Sequence, residues 1–585
     1  MRKIFNGYQN NDIYKNNGVF SFKEQFYLQQ TGNWDKNRPV INWIRQSDWI
    51  TMTNVTSADQ KVVILHAIYP EANFVAFTIS GAYTVDWGDG VVENFTTGST
   101  AYHEYDYNNV NISNLSSRGY KQVLITITPQ AGQNLTSLNF NVKHNKSGLQ
   151  SIVIGGFLDM ILSAPSCTSL TIGGSTVYHG LLECVNIVNI GTLTATNSLF
   201  LNCYALQYVP LFNTASVTNM SSMFQNCYAL QYVPLFNTAS ATNMSNMFNG
   251  CQSLQSVPLF NTASVTNMSS MFQNCSSLQS VPLFNTASVT NMSSMFSTCG
   301  QLQSVPLFNT VAVTNMNLMF YFCAQLQSVP LFNTVAVTNM NSMFQNCYSL
   351  QSVPLFNTAA VTNMSNMFIN CSSLQSVPLF NTAAVTTMSG MFQGCSSLQS
   401  VPLFNTAAVT TMSSMFSSCY ALQSVPLFNT AAVTTMSSMF LNCYSLQSVP
   451  LFNTAAVTNM SSMFSSCYAL QTIPLFNTST VLNMSSMFNT CQSLQTIPSM
   501  NVSNVNSAAN IASMFTTCRG LSSCSANTFK YTISFSACKL SSNSLNTIYQ
   551  SLATTTGQTI TITGNYGANN SNTTIATSKG WTVTN

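Results

Sequence analysis

The chain has 585 residues, 46% of them hydrophobic and only 5% charged, with a formal net charge of +3. Such an apolar content can bury a core and excludes a disordered polymer, while so small a charge gives no footprint for nucleic acid or an anionic membrane. The ionic groups are also segregated: residues 1–183 carry 12 basic and 13 acidic groups, Arg519, Lys530, Lys539 and Lys579 follow the last repeat, and Cys184 to Cys518 holds no Asp, Glu, Lys, Arg or His. General acid–base work needs a group that titrates near neutrality, so the long central stretch excludes most enzyme chemistry.

The start, Met1-Arg2-Lys3 followed by polar residues, lacks the apolar run of about 7 to 15 residues that an export signal needs, so export by that route is not expected. Gly18 to Trp34 reads on its own as an amphipathic helix. Apolar runs at Leu135–Leu138, Leu149–Ile152, Ser169–Ile172 and Val185–Val188 predict degenerate opening coils, so that a solenoid begins near residue 134.

From Leu206 to Ser493 the chain writes nearly one 24-residue sentence twelve times. In the unit Leu206 to Ala229, Leu206, Val209 and Leu211 bracket a short extended run, in which Pro210 is tolerated where its missing donor does no harm. Asn213 to Ser216 reads as a turn. Val217, Met220, Met223, Phe224 and Cys227 then recur at three- and four-residue steps, which predicts one or two turns of helix. One such coil cannot bury its open faces alone, so neighbours must stack and the two ends need caps. With strands about 4.8 Å apart, thirteen coils would span roughly 60 Å.

Thirteen of the eighteen cysteines fall 24 residues apart, from Cys203 to Cys491, a spacing set by the repeat and not by a disulfide framework. They are expected inside as small apolar residues, with Met220 and Met223 as core filler and Gln207 and its copies as a side-chain amide ladder. No metal or cofactor site is expected. The residue after each Cys varies, and variation between copies implies exposure. Tyr204, Tyr228, Tyr348, Tyr420, Tyr444 and Tyr468 at this position are the candidate ligand-contact surface, with plain solvent-facing decoration as the other reading. The sequon Asn219-Met220-Ser221 recurs with the repeat, whose identity explains it, and is given little weight as a modification site. Beyond residue 518, Leu540, Leu545, Ile548, Tyr549 and Leu552 lie on one helical face, followed by the strand Thr559 to Ile562 and a terminal Trp581 placed to cover the last coil.

The repeat L-x-x-V-x-L-F-N-T-x-x-V-T-N-M-S-S-M-F-x-x-C resembles the BspA-type leucine-rich repeats of bacterial surface proteins, over about 206–518. That resemblance implies a solenoid used for adhesion and partner binding. Val85-Asp86-Trp87-Gly88-Asp89-Gly90, His103-Glu104-Tyr105 and Val123 to Ile127 resemble the PKD domain, an immunoglobulin-like β-sandwich in which Asp86 and Asp89 would shape a turn; calcium binding is the alternative. The segment from Gly18 to Trp34 resembles an element of phage virion proteins, which implies virion docking through Phe20, Phe26, Tyr27, Leu28 and Trp34. It departs from that element in having Asp35 where Pro often follows Trp.

The expected fold is therefore mainly β with short helices, a leucine-rich-repeat solenoid of parallel stacked strands preceded by a PKD/immunoglobulin-like β-sandwich. The expected organisation is an attachment segment (1–70), the sandwich (71–131), degenerate repeats (132–205), the solenoid (206–518) and a C-terminal cap (519–585). The expected role is a bacteriophage virion surface protein, a tail fibre or similar appendage, assembled in the host cytoplasm and exposed on the particle. Its partners would be other virion proteins through the N-terminal region and a host-surface glycan or protein through the solenoid, as a homo-oligomer or in many copies, without nucleic acid or membrane insertion. A capsid fibre or decoration protein and a bacterial cell-surface adhesin are the alternatives. An enzyme would have to use flanking groups such as Asp86, Asp89, His103, Glu104, His144, His179 or Glu183, whose spacing matches no catalytic constellation.

Overall fold

The structure, a computed structural model, describes residues 43–70, 72–111, 114–144 and 155–585. The chain forms two compact units, 1–45 and 46–585, and every strand and helix named below belongs to the second. Ten strands come first: β1 (Lys61–Ile68), β2 (Phe74–Ser80), β3 (Tyr83–Asp86), β4 (Val92–Phe95), β5 (Thr100–Glu104), β6 (Lys121–Pro129), β7 (Ser137–Asn139), β8 (Phe157–Ala164), β9 (Ser169–Thr171) and β10 (Cys184–Ile190). They make a six-stranded sheet, in the order β10-β8-β1-β6-β3-β4, and a four-stranded sheet, β5-β2-β7-β9. The sheets face each other across an aromatic core in which Phe77 of β2 lies 5.5 Å from Trp87 and 6.5 Å from Tyr83, ring centre to ring centre.

Lys61–Ile68 corrects the expected boundary at residue 70. Instead of belonging to an attachment segment, it sits between β8 and β6, and Val62 to Ile68 are all buried. A run such as Val-Val-Ile-Leu-His-Ala-Ile, with hardly a polar side chain, is what a strand covered on both faces requires.

Both sheets pass into the coil stack without a break. Strand β8 pairs antiparallel with β1 (Ile64 opposite Met160) and parallel with β10 (Val185 opposite Met160), and β10 bridges in parallel to Tyr208 of the first full coil. On the other side β7 pairs antiparallel with β2 (Ile79 opposite Leu138) and parallel with β9 (Leu138 opposite Leu170), after which Ile172 N–H donates to the Leu199 carbonyl. Of the expected degenerate strands, only the run at 135–138, through β7, is a place where antiparallel pairing turns parallel; the runs at 169–172 and 185–188 fall in β9 and β10, which pair in parallel, the second switch is made by β8, and the run at 149–152 lies outside the described residues. One apolar core extends from Val62 to Trp581, so the two-sheet body closes the first end of the stack.

Within the repeats the expected helix is absent. Ser222 and Asn226 take positive φ (56° and 62°), and the backbone alternates its donors. Met220, Ser222, Phe224 and Asn226 N–H donate to Asn243, Ser245, Met247 and Asn249 of the next coil, while Met223, Gln225 and Cys227 donate three residues back. A helix would satisfy all these donors within the coil and leave none for stacking; alternating turns give half to the neighbour, so the apolar residues recur at helical steps without a helix. The expected strand is also reduced. Parallel bridges occur singly, from Asn219–Asn243 to Asn459–Asn483, and around Pro210 the ladder thins because proline has no donor.

Side chains complete the pairing. In all twelve coils from Thr214 to Thr478 a buried threonine Oγ1 donates to the carbonyl of an asparagine in the next coil, at 2.8 Å for Thr214 to Asn237. Asn219 Oδ1 accepts from Ser221 N–H at 3.0 Å, fixing the turn that follows. Where Thr replaces that Asn, hydroxyls link the coils instead, as Ser389 to Thr411 at 3.0 Å. The glutamine column is joined main chain to main chain, for example Gln447 N–H to the Gln423 carbonyl at 3.1 Å, and not by the expected side-chain ladder.

The far end closes with two parallel pairs, β11 (Thr496–Ile497) with β12 (Ser523–Cys524) and β13 (Ile533–Ser534) with β14 (Gln558–Thr561). Helix α1 (Ser542–Ser551) is capped by Ser541 and buries Leu545, Ile548 and Tyr549, as the spacing predicts. A short helix, α2 (Thr574–Thr577), leads to β15 (Trp581–Thr584), parallel to β14. Trp581 is buried and its Nε1–H donates to the Ala553 carbonyl at 2.8 Å, sealing the last coil.

Candidate binding surfaces

The tyrosines singled out by sequence do reach solvent. Tyr228, Tyr348, Tyr420, Tyr444 and Tyr468 are each more than a third exposed, and Tyr204 is half-buried. The structure gathers them into separate groups: Tyr204 stacks on Tyr228 at 4.9 Å, and Tyr420, Tyr444 and Tyr468 form a row at 4.7 and 4.8 Å with planes within 7°. Tyr348 stands apart from both and meets Phe322 edge-on at 5.8 Å. Inside a row the ring faces cover one another, so what a ligand meets is ring edges and phenol hydroxyls. Partial burial, with Tyr420 and Tyr468 on either side, pushes the Tyr444 phenol above its ordinary pKa, so that hydroxyl is neutral and can donate a hydrogen bond.

Behind this edge every thiol is inert. The cysteines are free and buried, and each Sγ from Cys227 to Cys491 donates to a phenylalanine carbonyl one coil back, as Cys227 to Phe200 at 3.1 Å. Burial pushes Cys323 and Cys491 up to about 12, and the others in the column also rise. Thiolate, the form that attacks or ligates, is therefore suppressed.

Sequence reasoning missed a second surface feature. Leu211 and its copies bracket the extended run but point outward, because Phe212 beside them points in and neighbours on an extended chain take opposite sides. Leu355, Leu379, Leu403, Leu427, Leu451 and Leu475 are each close to 58% exposed, in a row with one leucine per coil. Near its first end the row runs into an open groove of about 660 Å³ lined by Leu211, Leu235, Leu259 and Ile187 to Ile190. Coil spacing differs between the two edges: equivalent rings in the inward Phe308 and Phe332 column lie 6.5 Å apart, against 4.7 Å at Tyr420 and Tyr444. Successive coils splay at the leucine edge.

The ionic groups of the two-sheet body build structure. Asp86 Oδ1 accepts from Gly88 N–H at 3.0 Å and Asp89 Oδ1 from Val91 N–H at 3.1 Å, fixing a turn in which Gly88 (φ 79°) has no room for a Cβ, 2.4 Å from the Leu124 carbonyl. Asp89 Oδ2 also meets His103 Nε2 at 2.8 Å, and His103 stacks on Trp87 at 4.6 Å. Trp87 Nε1–H donates to Glu93 and Tyr105 Oη–H to the Trp87 carbonyl. Both aspartates are thus engaged in the turn, as the structural reading of these residues has it. Glu183 is buried against Arg118 and accepts from Gln207 Nε2 at 3.3 Å, tying the first coil to the two-sheet body. His66 and His179 are fully buried, and desolvation pushes them down to about 3 and about 4. Among the described residues no group of three or more His, Cys, Asp or Glu could hold a metal ion, and no helix is long and apolar enough to cross a membrane. Phe20, Phe26, Tyr27, Leu28 and Trp34 lie outside the described residues.

The repeat sequence matches a family model described as Mycoplasma protein of unknown function, DUF285, over residues 194–305, 290–400, 362–472 and 421–531. These overlapping matches cover 194–531, more than half of the chain. The chain belongs to this family. DUF285 repeats thus account for the array and its exit to β12, and they carry no assigned activity with them. No curated protein matches the sequence. Among solved structures, the chain is similar to a leucine-rich repeat protein from Eubacterium ventriosum (18% identity, TM-score 0.35, covering 54% of this chain and 94% of that one). It is also similar to an internalin from Listeria monocytogenes (13% identity, TM-score 0.20, 56% and 88%) and to the Toll–Spatzle complex of Drosophila (14%, 0.22, 70% and 54%). At these TM-scores the likenesses carry no argument, and the solenoid rests on its own ladders.

Proposed function

We propose that this DUF285 protein is a non-enzymatic surface adhesin, an appendage of a bacteriophage virion of the tail-fibre kind, that holds a host-surface glycan or protein against its neutral coil edge. The observation that carries the reading is the contrast between the two halves of the molecule. Every described acidic group and histidine sits in the two-sheet body or its junction with the first coil, whereas the stack from Val185 to Thr517 presents Tyr, Ser, Asn, Gln and Thr without one charge. Such a surface recognises hydroxyl- and amide-rich partners by short-range hydrogen bonds and aromatic edges. The two-sheet body is read as a PKD-type sandwich, and the N-terminal segment with Phe20, Phe26, Tyr27, Leu28 and Trp34 as the docking element. The free, buried thiols of the column suit assembly in a reducing cytoplasm.

A bacterial cell-surface adhesin is the second reading, favoured by the resemblance of the repeats to bacterial surface proteins. Antibody labelling of phage particles and of bacterial cells, viewed by electron microscopy, separates the two. Label on tails supports the virion reading, label on the envelope of uninfected cells supports the second, and turnover of purified cell-wall polysaccharide by the protein would refute both as non-enzymatic accounts.

A further inference from the structure

We propose that the leucine row is a self-association surface, on which a second copy of this chain docks about a two-fold axis. The row is the feature of the molecule that water tolerates least: from Leu307 to Leu475 eight successive coils each hold a leucine at least half exposed. A monomer's largest apolar patch is usually on the order of 300–600 Å². At on the order of 100 Å² per leucine, eight present about 800 Å², which is what one partner contributes to a stable interface of ordinary size.

Period selects the occupant. The leucines repeat once per coil, on the edge where coils splay and the neighbouring Phe column is spaced at 6.4–6.5 Å. The row is therefore a line of knobs with gaps between them. A surface of any other period meets the knobs in register at one or two places and leaves the remaining gaps empty. A second copy has the same period by construction, so its knobs fill the gaps coil after coil, and a two-fold axis makes the contact closed. Charge offers no obstacle, since neither face carries any. The inference is independent of the adhesin reading, because it is argued from the leucines alone and uses none of the tyrosines of the row.

The test is sedimentation of the full chain at concentrations up to about 100 μM, near which even a weak dimer populates. A dimer is expected, and the triple variant Leu379→Lys, Leu403→Lys and Leu427→Lys should raise its dissociation constant at least about 100-fold, because charges buried at an apolar contact have no partner. The side chains replaced are more than half exposed, so circular dichroism and melting should be unchanged; if they are not, the Leu→Ser triple at the same positions is read in the same way. The variant Tyr420→Ser, Tyr444→Ser and Tyr468→Ser should remain dimeric. A wild-type monomer throughout, or a dimer indifferent to the leucine variants, overturns the proposal. So does a monomer that binds phosphatidylcholine vesicles through the row, an outcome that would assign the row to a lipid surface.

Discussion

Acid should loosen the two-sheet body, and the two buried histidines set the size of the effect. His66 lies in β1 between Tyr105 (5.6 Å) and Phe157 (5.7 Å), with neither ring nitrogen hydrogen-bonded. His179 stacks on Phe157 at 4.6 Å, and its Nε2 meets the Phe140 carbonyl at 3.1 Å. Gly155 and Gly156 bring backbone against both rings: a Cβ on Gly155 would fall 2.2 Å from His179 Nδ1, and one on Gly156 2.6 Å from His66 Cε1. Folded values of about 3 and about 4 lie below the ordinary 6.5, so below pH 6.5 the unfolded chain takes up protons that the native protein refuses. Stability is then complete above that value and falls as the pH drops toward the folded values, by up to about 1.4 kcal/mol per histidine per pH unit. From pH 7 to pH 5 the two together lose about 4 kcal/mol. Asp48, held near 2 by Ser117 and Ser116, does not titrate in this window. Hydrogen exchange read by mass spectrometry on peptides from β1 and β8 is the assay. Corrected for intrinsic rates, opening should become about a thousandfold easier at pH 5, and the His66→Leu, His179→Leu double variant should lose most of that slope. Equal protection at both pH values, or an undiminished slope in the double variant, refutes the reasoning.

Binding through the neutral coil edge should change little between low and high salt, because no ion pair is available to screen; surface plasmon resonance on immobilised host envelope measures this, and a steep salt dependence would move the contact to the charged two-sheet body. Deleting one whole unit, such as Gln351 to Leu374, should leave a folded, shorter stack, while deleting three residues from it should lower the melting temperature sharply, since stacking needs equal coils. Thr358→Val removes the hydroxyl that donates to the Asn381 carbonyl at 2.7 Å, so a loss of about 0.5–1.5 kcal/mol in urea unfolding is expected. Native protein should leave the thiols of the Cys203 to Cys491 column unmodified by a thiol reagent that labels all of them in denaturant.

The stack, its inward columns and its C-terminal closure are legible in the sequence because period and apolarity are properties of the chain itself. The coil's local form is less so. Three- and four-residue apolar steps fit a helix and a series of alternating turns alike, and what separates them is where the donors go. A signal was present: Gly250, Gly390 and Gly394 stand in the columns of Asn226 and Ser222, with positive φ of 82°, 62° and 73°. Glycine inserted into a helix face weakens it, whereas at a left-handed position it is the favoured residue. The outward leucines were legible too, from Leu-Phe pairs in an extended run that cannot both point in. The tyrosines' exposure followed from variation between copies, but their stacking into a row of three depended on which coils happen to carry Tyr in succession. The boundary at residue 70 was not legible, because a strand covered on both faces has no alternation to mark its sheet.

The same accounting of donors explains why this stack needs ends so different from its middle. Each coil gives about half of its turn donors to a neighbour, so a terminal coil without a neighbour would leave that whole set facing water or, worse, another chain's open edge. At the first end the edge is taken up by β10, β8 and β1 on one side and by β9, β7 and β2 on the other, where a switch from parallel to antiparallel pairing ends the repeat geometry. At the second end the edge is taken up by β12 and by the β13-β14-β15 sheet, with Trp581 beneath. Truncating the chain after Leu494 should therefore cost solubility before it costs coil structure, giving end-to-end oligomers whose coils keep the hydrogen-exchange protection they have in the full chain. Oligomers that vanish when the leucine row is charged would place the association on that row instead, so the truncation is best combined with the Leu379→Lys, Leu403→Lys and Leu427→Lys substitutions.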